Sequence, residues 1–159
     1  MKKWNVRNLL VSIIVCQAAG LIGSLFTFAA IPTWYASLAK PSFSPPNWLF
    51  GPVWTTLYIF MGVAMYLVWQ KGTKKKDVRQ ALTLFIIHLV FNAGWSIVFF
   101  GLQSMLGGMV ALIILWGFIV AVIREFYRID RRAAYLLIPY LVWVSFAGVL
   151  NFSLLLLNQ

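Results

Sequence analysis

A chain of 159 residues that is 62% hydrophobic and only 10% charged cannot dress a water-facing surface, which needs roughly a quarter of its residues charged. Its formal net charge of +10 would direct a soluble protein toward nucleic acid or an acidic partner, but the placement of the charges excludes that reading. They lie in clusters, and the stretches between clusters suit helices of about 20 residues, which cross a hydrocarbon core of about 30 Å.

In chain order, Lys2, Lys3 and Arg7 precede a first span predicted over Asn8–Ala30. The apolar run Leu9–Ile31 exceeds the ~7–15 residues of a secretory-signal core and lacks a clean cleavage site, so it reads as an uncleaved helix. Cys16 is the single cysteine, so no disulfide framework exists. Gly20, Gly23, Ser24 and Thr27 give this helix a small-residue face suited to close helix approach. The connection Ile31–Pro46 follows and holds four of the six prolines, too many for a spanning helix. It also carries Trp34, Tyr35 and Phe43, with Trp48 just beyond. Two readings stand: an interfacial aromatic belt, or a proline-stiffened lid folded over the bundle.

The second span, Asn47–Gln70, places Trp54, Tyr58 and Met65 on one face. A basic cluster, Lys71 to Arg79, leads into the third span, Gln80–Phe100, where His88, Asn92, Trp95 and Phe99 form a stripe. The fourth span is predicted over Met105–Ile123, with Gly117 and Ala121 at small-xxx-small spacing, a weak dimer signal. A second cluster holds Arg124, Glu125, Arg128, Asp130, Arg131 and Arg132. The fifth span, Ala133–Leu157, is free of charge and aligns Trp143, Ala147 and Asn151, with Leu150 beside them. Amides are costly against lipid, so Asn92 and Asn151 should face inward. Packing alone would explain any one of these stripes; the convergence of three points to a ligand cavity.

The fold expected is therefore an all-α integral membrane bundle of five transmembrane helices. Five spans put twelve of the thirteen Lys/Arg on one side and only Lys40 on the other, so the positive-inside rule predicts N-in, C-out. The basic loops read as topology determinants against anionic headgroups, with no nucleic-acid partner.

The spans contain no Asp, Glu, Lys or Arg, which disfavours ion-coupled transport and leaves conventional acid–base or nucleophilic catalysis without residues. No metal-ligand cluster is visible. His88, the single histidine, reads by default as a hydrogen-bonded interior residue, with ligation of haem iron as the alternative.

Several motifs resemble the TspO family of tryptophan-rich sensory proteins and mitochondrial translocator proteins. They are Trp34-Tyr35, Lys40-Pro41-Ser42-Phe43, Pro45-Pro46 with Trp48, and Gly51-Pro52-Val53-Trp54-Thr55-Thr56-Leu57-Tyr58. Tyr66 to Trp69, Asn92-Ala93-Gly94-Trp95, Pro139 to Trp143, and Phe146-Ala147 with Leu150-Asn151 continue the match. The resemblance implies a five-helix bundle, usually a homodimer, whose cavity is closed by the first loop. It implies binding of porphyrin-type tetrapyrroles such as protoporphyrin IX or haem-type compounds, and of isoquinoline or benzodiazepine drugs, with no required cofactor. Carried over by motif, the binding residues are Tyr35, Trp54, Tyr58, Asn92, Trp95, Trp143, Ala147 and Leu150, with Phe50 and Gly51 near the mouth. Light-dependent porphyrin breakdown and passive porphyrin transport are the alternative activities. Departures are Phe43 for a usual Trp, Ala111 for a frequent acidic residue, and Gly107 where many animal members carry Trp. The Tyr and Arg of a proposed sterol motif are missing after Asn151, which weakens a sterol reading. The short Lys-rich start points to a bacterial plasma membrane, with a mitochondrial outer membrane as the family's other setting.

Overall fold

The computed structural model describes residues 5–158, so Lys2 and Lys3 of the first basic cluster lie outside the described residues. Within that range five helical segments are long and apolar enough to cross a membrane: Val6–Ala30, Asn47–Trp69, Lys76–Gly101, Met105–Ile129 and Arg131–Leu157. They comprise α1 (Val6–Ala30), α3 (Phe50–Trp69, entered through a 3₁₀ turn at Asn47–Leu49), α4 (Lys76–Ser96) and α5 (Met105–Ile129). The last span is split into α6 (Arg131–Leu136) and α7 (Ile138–Leu157), and a one-turn helix α2 (Trp34–Ser37) lies in the proline-rich connection.

Local chemistry sets the ends. Asn5 caps α1 by accepting from the Asn8 N–H at 3.2 Å, and Ser104 caps α5 by accepting from the Gly107 N–H at 3.0 Å. Helix α4 runs into a π-helical turn, Ile97–Gly101, closed by the Leu102 N–H donating to the Ile97 carbonyl at 2.8 Å. The turn into α5 then needs Gln103 in the left-handed region at φ 51°. Pro139, which lacks an N–H, sits in the first turn of α7, where the α6–α7 break already frees that position.

Two sequence expectations are corrected here. The fourth helix does not stop at Ile123 before the charges but continues to Ile129, so Arg124, Glu125 and Arg128 ride on its last turns. Charge expels a segment from hydrocarbon without unfolding it, since Arg and Glu are good helix formers. The chain breaks instead at Asp130, which turns extended (φ −152°) and accepts from the Arg132 N–H to cap α6. The third helix likewise begins at Lys76, inside the basic cluster, rather than at Gln80.

Lipid offers no hydrophobic drive between helices, so close packing and internal hydrogen bonds hold the bundle. Helix α1 packs on α3 and α4, α5 packs on α4 and α7, and α6 packs on α3 and α5. At Gly62 of α3 the helix meets the backbone of α1 itself: an added Cβ would lie 2.6 Å from the Ile13 Cα. Gly23 similarly meets the Ser96 hydroxyl, so part of the predicted small-residue face of α1 does seat a neighbouring helix. Gly117 has nothing within 4 Å of an added Cβ and faces outward.

Candidate functional site

The proline-rich connection folds across the ends of the helices. Trp34 meets Phe99 edge-on at 5.4 Å, and Tyr35 packs against Phe50, Phe99 and Phe100. Lys40 lies 4.9 Å over the Tyr35 ring and donates to the Ala36 and Leu38 carbonyls, closing α2. From the opposite terminus, the Asn158 side chain accepts from the Ala39 N–H and donates to the Ala39 carbonyl, both at 2.9 Å. Trp34 and Tyr35 thus pack inward as a cover, as the lid reading expects, while Phe43 and Trp48 remain 47% and 71% exposed, Trp48 at the edge of the cleft.

Beside this cover, a cleft of about 350 Å³ opens between α1, α4 and the start of α3. Its floor is aromatic. Trp54 stacks on Tyr58 at 5.6 Å and on Trp95 at 6.2 Å, and Trp95 stacks on Phe99 at 5.7 Å. Phe50 and Phe100 add further walls, while Gly20, Ser24 and Thr27 of α1 provide a flat, small-residue side. Gly20 is required there, because a Cβ would fall 2.3 Å from the Tyr58 ring. At Gly51 a Cβ would meet nothing within 4 Å, leaving the mouth open. The indole N–H of Trp95 is buried without a hydrogen-bond acceptor among the described residues, and so is that of Trp143.

Behind the cleft runs a buried hydrogen-bond chain. The Tyr58 hydroxyl donates to Asn92 Oδ1 at 2.6 Å, and Asn92 Nδ2 donates to the Tyr140 oxygen at 2.8 Å. Tyr140 Oη then lies 3.0 Å from His88 Nε2, while His88 Nδ1 lies 3.2 Å from the Phe85 carbonyl. One tautomer satisfies every member: His88 donates from Nδ1 to the carbonyl and accepts the Tyr140 proton at Nε2. Both His88 ring nitrogens are thereby engaged within the bundle, and the ring does not line the cleft.

The predicted site residues divide between these layers. Phe50, Gly51, Trp54, Tyr58 and Trp95 line the cleft. Asn92 stands one layer behind, joined to Tyr58. Tyr35 contacts Phe50 from the cover, and Trp143 meets Phe50 at 6.0 Å from the far side. Leu150 is buried in the core and Ala147 packs against it, away from the cleft. Asn151, turned so that its amide is satisfied, donates to the Met105 carbonyl and accepts from the Met109 N–H, both at 3.1 Å, tying α7 to α5.

Three participants escape the stripe reading. Gln17 lines the cleft and donates to the Thr55 carbonyl at 3.1 Å; a lone glutamine within the first span was the available signal. Tyr140 completes the hydrogen-bond chain, and a hydroxyl within the fifth span was the corresponding signal. Ser96 had none, since its role depends on how closely α1 approaches.

A family model for the TspO/MBR family matches residues 12–157. The chain is 48% identical over 154 residues to "Tryptophan-rich protein TspO" of Chlorobaculum tepidum, covering 97% of this chain and 98% of that one. It is 37% identical to "Protein CrtK" of Rhodobacter capsulatus, over 91% of this chain and 89% of the relative. To the human "Translocator protein" it is 41% identical, over 82% of this chain and 78% of the relative.

Proposed function

The chain belongs to the TspO/MBR family, and from that premise we propose that this multi-pass membrane protein is a receptor or sensor for porphyrin-type tetrapyrroles. The observation that carries the reading is the cleft itself: about 350 Å³, floored by the Trp54–Tyr58–Trp95 stack and set beside the covering loop. Small-molecule sites run from roughly 300 to 1,000 Å³ and combine apolar walls with few polar groups. Ring faces suit a flat conjugated macrocycle, and the open side allows its edge to extend beyond the walls. The buried Trp95 N–H supplies a donor for a polar substituent. The same walls suit isoquinoline- or benzodiazepine-type molecules.

Orientation and assembly belong to the same proposal. The N-terminus and both basic loops face the cytoplasm of a bacterial cell, and the cover faces outward. The chain works as a homodimer.

Titrating the detergent-solubilised protein with protoporphyrin IX should quench tryptophan fluorescence saturably at one porphyrin per chain. Gly51→Leu and Trp54→Ala should each weaken binding by tenfold or so, about 1.4 kcal/mol. Unchanged affinity in both variants would remove the cleft from consideration.

A second reading draws on the Trp54–Trp95 stack, whose ring planes lie 29° apart. Neighbouring indoles can lend an electron to a photoexcited porphyrin and recover it as dioxygen adds across a methine bridge. That addition breaks the carbon–carbon bond and keeps both oxygen atoms in the opened product, which would make the protein a light-dependent porphyrin-degrading enzyme. Illumination would then give a new bilin-like absorbance that Trp54→Phe and Trp95→Phe slow. Porphyrin flux into proteoliposomes in the dark would instead identify passive transport.

A further inference from the structure

A second cavity lies away from the aromatic cleft, on the lipid-facing surface between α3 and the α6–α7 pair. It is a groove of about 370 Å³ with almost wholly apolar walls, Phe60 on one side and Leu136 and Pro139 on the other. Tyr135 and Arg132 bound it beside the basic turn.

The charge there is unbalanced. Asp130 receives Lys71 at 2.9 Å and the Arg132 fork at 3.2 and 3.1 Å, so two cations share one carboxylate. Only the Nε and Nη2 atoms of Arg132 are used in that pair, and its side chain remains 74% exposed. Arg131 adds a further guanidinium 5.2 Å over the Tyr127 ring, and Tyr127 meets Tyr135 edge-on at 6.2 Å. An apolar groove therefore ends at a net-positive rim bearing two exposed tyrosines, which suits the headgroup level of a bilayer.

We propose that this groove is a binding site for one anionic phospholipid, its acyl chain between Phe60 and Leu136 and its phosphodiester on Arg132. The chemistry decides among occupants. A free anion would have no use for apolar walls. A zwitterionic lipid would bring a cationic headgroup against Arg131, Arg132 and Lys71. An anionic lipid fills the walls and neutralises the excess, and guanidinium is the side chain best matched to phosphate. This site is independent of the tetrapyrrole reading.

The full chain is reconstituted in phosphatidylcholine bilayers containing phosphatidylglycerol, extracted in mild detergent and examined by native mass spectrometry for retained lipid. We expect one phosphatidylglycerol per chain, preferred over phosphatidylcholine by about fivefold, the amount one cation at the headgroup level confers. Arg132→Gln should abolish the preference, while Arg132→Lys, which keeps the charge and the pair with Asp130, should keep most of it. Leu136→Trp, which fills the groove and leaves every cation in place, should lower retention of both lipids. Soluble glycerol phosphate in excess should displace nothing. Equal retention of the two lipids by the wild type, or a preference that survives Arg132→Gln, overturns the proposal. So does displacement by glycerol phosphate, or full retention in Leu136→Trp, since each reports an anion site without a seated chain.

Discussion

At the basic-loop end of the bundle, Phe85 stacks on Phe126 at 5.4 Å, Met61, Val68 and Val78 are fully enclosed, and Asp130 is saturated by two cations. At the proline-loop end, Trp54, Tyr58 and Trp95 surround a cleft, Gly51 borders open space, and the indole N–H groups of Trp95 and Trp143 lack acceptors among the described residues. The two ends share one set of helices but are satisfied to different degrees. The tight end fixes where the helices stand. The loose end keeps ring faces and donors available, which a close-packed interior would have consumed. The chain from Tyr58 through Asn92 and Tyr140 to His88 lies between them and anchors the cleft floor to the tight half.

The contrast can be broken first at its glycines. Gly62→Val should destabilise by about 3 kcal/mol, because the neighbour it strikes is the α1 backbone and cannot rotate away. Gly51→Val should leave the apparent melting temperature in detergent nearly unchanged; equal losses would show the two ends to be packed alike. Next, Asn92→Ala should cost about 2 kcal/mol, since it leaves Tyr58 and Tyr140 without their shared partner. Thermal unfolding should register that loss even with no ligand present, whereas a residue serving only the cleft would affect binding alone.

The ion cluster gives a smaller, pH-dependent effect. Burial pushes the Asp130 carboxyl up, but hydrogen bonds from Arg132 and Lys71 outweigh it and hold the group at about 2. A carboxylate held below its ordinary value of about 3.9 contributes stability that is full above that value and lost as pH falls through the folded one. Melting temperatures of the wild type should therefore drop between about pH 4 and pH 2, by the equivalent of about 1–2 kcal/mol after allowing for the exposure of both cations. Asp130→Asn should flatten that segment of the profile. Smallest of all, Trp48→Ala should change stability by no more than about 0.5 kcal/mol, because the ring is 71% exposed at the rim. A larger loss would assign Trp48 to the cover rather than to the belt.

Much of the fold was legible because the solvent is lipid. A charged residue in hydrocarbon costs several kcal/mol, so Lys71, Arg79, Arg124 and Arg132 bracket the apolar stretches, although all but Lys71 lie on helices. The inward stripe His88–Asn92–Trp95–Phe99 was legible for a related reason, since each of these is better placed against protein than against lipid, and all four are buried. The end of the fourth helix was not, because Arg124 and Arg128 leave the membrane without leaving the helix, and only the extended backbone of Asp130 stops it. Nor could spacing separate Trp54 and Trp95, which line the cleft, from Asn92, which stands behind it on the same stripe as Trp95. A stripe gives the direction of a side chain but not its depth.

The amino-acid sequence by itself determined that five apolar helices are joined by two basic connections, one proline-rich one and one short uncharged one. Those features follow from single-residue transfer costs and from the missing proline N–H. The tertiary structure alone decided what the connections do. Asn158 clamps Ala39 across 119 positions, Lys71 and Arg132 converge on Asp130, and Gly20 yields its Cβ space to Tyr58. Each of these depends on the distance between helices, which in lipid is set by side-chain fit rather than by hydrophobicity.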